Sequence, residues 1–409
     1  MVTLTKQRVA VALGNQALSS LTNFLYLLFL IRVLTPEAFG LYSIGFAILL
    51  GVGAMVHGFF LIQMVTLLPA IPAADQQDFA AGVLVWLLLG LAASSLLIIG
   101  AALFAPALAG YIGALAFTIS AYAIKEFFIR YFFSTEKGQL RAMLVHFVLA
   151  LALSGVVWLS PTAFTAVTAL VCYGTAHLAA VICGLMTARL PLRHLSPAIM
   201  WQVLAKITPG GRWATVSALI YTIRASAHTF IVAAVVGPLG VAQMNAARVL
   251  VTPATIFIPT LSNILLPEFS RVAKAEGFAG VLPRARKAST QILLIATVYS
   301  VALLLLWPVV QPMLLGANYA DAFWVVVLWC LFAMALALRS GFEWGLQALQ
   351  HFRQISFINL AGAVATVSAV LGFSFVGGVS GAIAGAILGE VLILCLLFMV
   401  MSRLKTGGA

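Results

Sequence analysis

The chain has 409 residues, 63% of them hydrophobic and only 8% charged, with a mean hydropathy of +1.13 and a formal net charge of +12. Soluble domains carry about 25% charged residues, so this composition excludes a soluble globular fold and leaves no room for a sizeable soluble domain. The excess of cations does not mark a nucleic-acid protein, because the lysines and arginines follow a membrane pattern.

In chain order, MVTLTKQR places two cations ahead of a long apolar run with no small-residue cleavage site. That predicts a first membrane helix rather than a removed signal peptide. Apolar stretches of about 20 residues predict twelve spans: 10–34, 40–68, 79–104, 109–133, 141–160, 164–188, 209–236, 240–266, 287–310, 319–349, 354–375 and 379–402. Breakers separate them: Thr35-Pro36, Pro69 to Pro72, Pro161, Gly237-Pro238, Pro267, Pro308 to Pro312 and Gly377-Gly378. An even count puts both termini on one side. That side collects Lys6, Arg8, Lys137, Arg141, Arg189, Arg193, Lys206, Arg271, Lys274, Arg284, Arg286, Lys287, Arg353, Arg403 and Lys405; the other side has only Arg32. The positive-inside rule then makes both termini cytoplasmic. The segment 69–78 breaks the pattern, with Asp75, Asp78 and no cation.

Two cytoplasmic loops are longer. In 189–206, Ser196 can cap a short helix from Pro197, with Ile199, Met200, Val203 and Leu204 on one face. It reads as an interfacial helix joining two halves. The loop 267–287 is more basic and suits a solvated position beside anionic headgroups. Cys172, Cys183, Cys330 and Cys395 lie in apolar runs without a CxxC pair, so they read as packing residues, with neither a disulfide frame nor a metal site. No cofactor motif is present.

The halves repeat. RVLTPEAFGLYSIGFA at 32–47 parallels VVGPLGVAQMNAA at 235–247, and a weaker echo joins 127–139 to 342–354. Six spans per half is an even number, so both insert with the same orientation. The fold expected is an all-α polytopic membrane protein, twelve transmembrane helices in two six-helix lobes around a central cavity. The N-terminal lobe is 1–188, the cytoplasmic linker 189–208 and the C-terminal lobe 209–409.

The segment VVGPLGVAQMNAARVLVTPATIFIPTLSNILLPEFSR, with Gly240, Asn245-Ala246-Ala247 and Leu266-Pro267 before a basic loop, resembles the seventh-to-eighth helix region of polysaccharide flippases. NFLYLLFLIRVLTPEAFGLYS at 23–43 is similar to that family's opening, and GGVSGAIAGAILGE at 377–390 to its small-residue final helix. These are the Wzx-type O-antigen and exopolysaccharide translocases of the multidrug/oligosaccharidyl-lipid/polysaccharide exporter superfamily. The resemblance implies two lobes facing a cavity and transfer of a polyprenyl-pyrophosphate-linked oligosaccharide across the bacterial inner membrane. A polysaccharide polymerase or other export machinery is the implied partner. Twelve spans fit this branch; the related lipid II flippases usually have fourteen.

Intramembrane charges are the candidate functional groups, because each costs about 3 kcal/mol or more at a bilayer centre. The cations are Lys125, Arg130, Arg212, Arg224, Arg248 and Arg339, and the buried acids are Glu126, Glu343 and Glu390. Glu126 with Arg130, and Arg339 with Glu343, have i,i+4 spacing. Each is either a self-neutralised pair or part of a polar gate. Ser217, Tyr221, Arg224 and His228 form a polar stripe on the seventh span; Asn15, Ser19, Asn23 and Tyr26 form its neutral counterpart on the first. Such stripes are expected to face a wet interior.

A guanidinium in a wet cavity suits a phosphate, and tyrosine and asparagine suit sugar hydroxyls. Arg224, Arg248, Tyr221, Asn23 and Arg212 are therefore the substrate-binding candidates. His228, Glu343, Arg339, Glu126 and Arg130 are the coupling or gate candidates. For Arg224 a bond to helix-end carbonyls or to a distant glutamate is the structural alternative, and Arg212 also fits the cytoplasmic interface. His57, midway along the second span, is singled out less strongly than His228.

The rival function is a cation-coupled multidrug or small-molecule exporter of the same superfamily, which uses acids on the first helix. Here that helix has none before Glu37. A twelve-span facilitator lacks its basic loop between spans two and three. No GxxxxGK[ST] loop or catalytic constellation points to a pump or an enzyme.

Overall fold

The computed structural model describes residues 6–102, 106–135, 138–159, 164–191 and 196–406. Lys137, Pro161 and Arg193 lie outside these residues. Every regular element among the described residues is helical. Ten stretches among them are long and apolar enough to cross a membrane, and the chain is a multi-pass membrane protein.

In chain order the helices are α1 (Lys6–Val33), α2 (Pro36–Val56), a π-helical turn (His57–Leu61) running into α3 (Ile62–Leu67), α4 (Gln76–Ala102), α5 (Ala109–Ser134), α6 (Gln139–Leu159) and α7 (Ala166–Ala188). Then come α8 (Pro197–Val235), α9 (Pro238–Leu305), the single turn α10 (Trp307–Val310), α11 (Phe323–Ala348) and α12 (Phe352–Thr406). The two repeated turns end in the same local chemistry. The Thr35 hydroxyl accepts the Ala38 N–H at 3.3 Å and Pro36 occupies the first turn of α2. Gly237, at φ 90°, precedes Pro238 at the start of α9. Proline suits these positions because its missing N–H would have no helical partner there.

Three helices are longer than their spans predict. The segment opening at Pro197 is helical, and Ser196 caps it by accepting the Ile199 N–H at 3.3 Å. It does not end as a separate interfacial piece. It continues through Pro209 to Val235, 39 residues in all. Its apolar face is held against α4: the Trp86 indole N–H donates to the Met200 carbonyl at 2.8 Å, and Val203 is buried. α9 covers 68 residues as two helical rods that meet at a kink at Gly277 (φ 61°), so the basic loop expected at 267–287 is helical on both sides of that break. α12 runs for 55 residues with a break at Gly378, whose φ of 53° favours glycine. On each side of these breaks the helical rods are at least 26 residues long, enough to cross a hydrocarbon core of about 30 Å.

By compactness the chain divides into two units, residues 1–38 with 45–222, and residues 39–44 with 223–409. In the first unit α7 packs on α5 and α6, α4 on α5, and α1 on α6. Phe127, Phe128, Phe132, Leu170 and Tyr173 are buried at its centre. The sequence led us to expect the α1 polar stripe to line an open interior; Asn15 and Tyr26 are instead buried, Ser19 and Asn23 are half-exposed, and three of the four bond to neighbouring helices. Asn15 Oδ1 meets His146 Nδ1 at 2.7 Å, the Tyr173 hydroxyl donates to Asn23 Oδ1 at 2.9 Å, and the Tyr26 hydroxyl donates to the Ala169 carbonyl at 2.6 Å. Buried polar groups need partners, and α6 and α7 supply them.

In the second unit α11 packs on α9 and α12. The Trp329 indole N–H donates to the Met244 carbonyl at 3.0 Å, and Phe342 meets Phe398 with ring centroids 4.6 Å apart. Gly40, from the first repeated turn, lies against the Pro238 backbone of the second.

One close approach shapes the first unit. A Cβ at Gly58 would lie 2.9 Å from the Ala214 backbone, so the π-helical turn and α8 touch main chain to main chain. Gly58→Val is expected to cost about 1–3 kcal/mol through overpacking and to lower the thermal midpoint of the purified protein. An unchanged midpoint would contradict this packing.

Candidate functional site

A cleft of about 630 Å³ opens within the first unit. α2 contributes Leu50, Gly53, Ala54 and Val56, the π-helical turn His57 and Leu61, α5 Tyr122, Glu126 and Arg130, and α8 Ser217 and Tyr221. The π-helical turn holds one residue more per turn than α-helix, and such turns occur at functional sites. It carries His57 into the cleft wall. The α5 residues arrive by helical spacing, Tyr122, Glu126 and Arg130 each four apart on one face. Most of the remaining wall is aliphatic.

Charge is distributed unevenly here. The Lys125 ammonium meets the Glu126 carboxylate at 2.5 Å, with only 3% of the lysine side chain exposed. The same ammonium lies 5.1 Å from the centre of the Tyr122 ring. The i,i+4 pair expected between Glu126 and Arg130 is not the one formed. Among the described residues Arg130 makes no ion pair, and its side chain is exposed in the cleft. Glu126 and Lys125 cancel, so the local balance at the cleft is set by Arg130 and is positive.

The α8 stripe divides where the units divide. Ser217 and Tyr221 line the first unit's cleft, whereas Arg224 and His228 belong to the second unit. Arg224 Nη1 donates to Glu390 Oε1 at 3.0 Å. Arg339 donates through Nε to the other oxygen of Glu390 and through Nη1 to Glu343. Four charges from α8, α11 and α12 thus alternate in sign and cancel. The i,i+4 pair of Arg339 and Glu343 forms as its spacing predicts. The alternative noted for Arg224, a distant glutamate, is what the structure shows.

Arg248 Nη1 lies 3.2 Å from His228 Nε2, and its guanidinium 5.4 Å from the Trp329 ring centre. Only a neutral imidazole accepts from arginine, so His228 in this arrangement carries its proton on Nδ1. His228 is buried and stacks edge-on to Trp329. Arg212 is exposed on α8 beside Trp213, 5.7 Å from that ring centre, and does not line the cleft. Asn23 is committed to Tyr173 within the helix packing.

Of the sequence candidates, the structure brings Tyr221, Glu126 and Arg130 together in the cleft. It gathers Arg224, Arg339 and Glu343 around Glu390, and pairs His228 with Arg248. Sequence reading under-weighted His57, Lys125 and Glu390. Glu390 is visible in sequence as a lone acid in an apolar span, a costly placement that implies a partner.

No protein-family model matches the sequence, and a comparison with curated proteins finds no match. Solved structures do share the fold. An inward-facing multidrug resistance MATE family transporter of the MOP superfamily superposes with a TM-score of 0.78 at 15% identity, covering 96% of each chain. A lipid II flippase, MurJ, in an inward closed conformation gives 0.71 at 12% identity, covering 96% of this chain and 87% of that one. An outward-facing MATE family transporter gives 0.64 at 16% identity, covering 96% of this chain and 94% of that one.

Proposed function

We propose that the chain is a flippase that moves a polyprenyl-pyrophosphate-linked oligosaccharide, an O-antigen or exopolysaccharide repeat unit, across the bacterial inner membrane by alternating access. The observation that carries this reading is the state of Arg130: exposed in the cleft, without an ion pair among the described residues, beside a glutamate already neutralised by Lys125. A guanidinium so placed binds two oxygens of a phosphate at once. His57, Ser217 and Tyr221 offer hydrogen-bonding groups around it, and the aliphatic wall suits the first units of a prenyl tail. Arg130 therefore replaces Arg224 as the leading phosphate contact. Arg248 stays a secondary candidate, held in place by His228. A polysaccharide polymerase or other export machinery would take the product. That a protein sharing the fold is a lipid II flippase supports a lipid-linked substrate.

The organisation that goes with this function has twelve crossings. The break at Gly378 divides α12 into two, and α9 is long enough for one crossing on each side of Gly277. Six crossings lie in 1–188 and six in 209–409, joined by 189–208, with both termini cytoplasmic. Single cysteines at Gly138 and Ala317 in a cysteine-free chain test this. Labelling by an impermeant maleimide is expected at 317 in intact cells, and at 138 only after permeabilisation. The reverse pattern would reject the orientation.

A second reading is a cation-coupled multidrug exporter. Glu126 and the two cleft tyrosines, Tyr122 and Tyr221, would hold an organic cation if Lys125 released its partner. Titration of the purified protein with a short-chain prenyl pyrophosphate, the matching prenyl alcohol and a lipophilic cationic dye separates the two. Saturable binding of the pyrophosphate alone is expected; binding of the dye alone would favour the exporter.

A further inference from the structure

The stretch IKEFFIR on α5 carries three charges within two turns: Lys125, Glu126 and Arg130. Glu126 and Arg130 line the cleft of the first unit, and Lys125 does not. It sits about 100° around the helix from Glu126, with only 3% of its side chain exposed. There the buried rings of His146 on α6 and His177 on α7 lie within range of its charge. Lysine is almost never this buried without a partner. In the described residues of α1, α5, α6 and α7, Glu126 is the sole acid, and Lys125 holds it at 2.5 Å.

The surroundings fix the ammonium in place. It lies 5.1 Å from the centre of the Tyr122 ring, whose face attracts a cation. Tyr122 is itself held from two sides. Its ring centre is 5.5 Å from that of His177, and Gly53 on α2 makes room for its edge, because a Cβ there would come within 2.9 Å of the ring. His177 Nδ1 donates to the Tyr173 carbonyl at 2.8 Å, and His146 Nδ1 faces Asn15 Oδ1 at 2.7 Å. In the neutral rings Nε2 is then the acceptor, and His146 Nε2 is buried with no hydrogen-bond partner among the described residues. Lone pairs and ring faces suit a cation, and Glu126 supplies the opposite charge.

Packing alone does not account for the pair. A buried ion pair gains little over apolar side chains of the same volume, because desolvation offsets the Coulomb attraction. What this pair does is take Glu126 away from Arg130. Their i,i+4 spacing favours a bond between those two, which would leave the cleft neutral. With Lys125 in place, Glu126 is neutralised from the buried side, and Arg130 makes no ion pair among the described residues. The cleft then presents one net positive charge. Without Lys125 it presents none, and without both cations it presents one negative charge. One buried residue therefore sets the sign of the charge that the cleft offers a ligand.

We propose that Lys125 is the specificity-determining residue of the cleft: by holding Glu126 it leaves Arg130 to an anionic headgroup and withholds the carboxylate from an organic cation. Lys125 does not line the cleft, so it is a positioning residue that acts through Glu126. A carboxylate in the wall of a phosphate site repels its ligand unless a cation cancels it, and Lys125 is that cation. The inference deepens the flippase reading and rests on it for the identity of the anion.

The test measures binding of a short-chain prenyl pyrophosphate and of a lipophilic cationic dye to purified protein in lipid nanodiscs, with a melting curve on each preparation. Lys125→Met keeps an unbranched stem and drops the charge. It is expected to weaken pyrophosphate binding by about tenfold, the scale of one charge-assisted hydrogen bond. Adding Glu126→Gln is expected to restore wild-type affinity, because Arg130 is released again. Lys125→Met combined with Arg130→Gln is expected to bind the dye about tenfold more tightly than wild type. A purely structural role would lower the midpoint without moving the preference from anion to cation. A folded Lys125→Met protein with wild-type pyrophosphate affinity, a loss that Glu126→Gln does not repair, or unchanged dye affinity in the Lys125→Met, Arg130→Gln protein would each overturn the proposal. If Lys125→Met is not recovered folded, Lys125→Gln is judged by the same comparisons. The flippase reading fails separately. If Arg130→Ala removes prenyl-pyrophosphate binding while Lys125→Met leaves it unchanged, that reading stands and the role of Lys125 falls. If Lys125 controls binding in the Glu126-dependent way but vesicles with the wild-type protein move no pyrophosphate-linked lipid, the reverse holds.

Discussion

Arg130→Ala is expected to weaken binding of a prenyl pyrophosphate by about 10- to 100-fold, the span of one or two charge-assisted hydrogen bonds, and to reduce lipid-linked glycan export in proportion. Insertion and thermal stability should be unchanged. The reason lies in the partner choice on α5. Glu126 is held by Lys125 at 2.5 Å, so removing Arg130 strands no carboxylate. Arg130→Lys keeps the charge but loses the planar fork, and should fall between wild type and alanine. Binding isotherms and melting curves on the same preparations check both halves. A variant that loses binding only because it unfolds would show a lowered midpoint. Arg224→Ala is a less direct test of phosphate contact, because it also withdraws a partner from Glu390.

The largest loss of stability is expected at Arg339. Its side chain is 5% exposed and serves two carboxylates, Glu390 and Glu343. Arg339→Ala leaves Glu343 without its ion-pair partner and Glu390 with Arg224 alone. Breaking a buried pair from one side costs about 3–5 kcal/mol. The midpoint should drop accordingly, and adding Glu343→Gln should recover part of it by removing one uncompensated charge. Arg284→Ala supplies the contrast. Arg284 meets Glu276 at 2.9 Å, but both side chains are well exposed, at 39% and 51%, and exposed pairs add little. Its melting curve should overlay that of the wild type. Equal losses at Arg339 and Arg284 would show that burial does not set the strength of these pairs.

Much of the helical plan is legible from residue order. Thr35-Pro36 and Gly237-Pro238 mark helix starts because proline's fixed φ and missing N–H suit the first turn, and the structure begins helices there. The pair Arg339 and Glu343 follows from the spacing that puts i and i+4 side by side. Residue order misleads at Glu126. The i,i+4 rule favours Arg130, yet the partner is its chain neighbour Lys125, whose flexible stem folds back inside the packed helices. The break at Gly378 falls on the Gly377-Gly378 breaker read from sequence, whereas the break at Gly277 is hard to place, since there the chain changes direction through a single positive φ without leaving helical hydrogen bonding for long.

The partner of Arg224 was beyond the reach of pattern. Glu390 is 166 residues away, and only tertiary packing brings it to α8. The polar stripe on α1 is bonded in part to neighbouring helices, which its spacing does not show. Its asparagines and tyrosine bond to His146, Tyr173 and the Ala169 carbonyl, partners on α6 and α7 that period alone does not reveal. His57 shows the converse case. One lone histidine in an apolar span carries little signal, but the π-helical turn sets it in the cleft wall beside the α5 face.

The central claim is that this chain moves an anionic, pyrophosphate-linked lipid and that Arg130 engages its headgroup. Its most direct test uses vesicles containing the purified protein, loaded in turn with a short-chain prenyl-pyrophosphate-linked disaccharide and with a lipophilic cationic dye. Transfer to the opposite leaflet is read by an impermeant enzyme that cleaves the exposed pyrophosphate, and dye movement by fluorescence. Protein-dependent transfer of the pyrophosphate lipid, lost in Arg130→Ala and without dye transport, is the predicted result. Dye transport with no movement of the pyrophosphate lipid would contradict it.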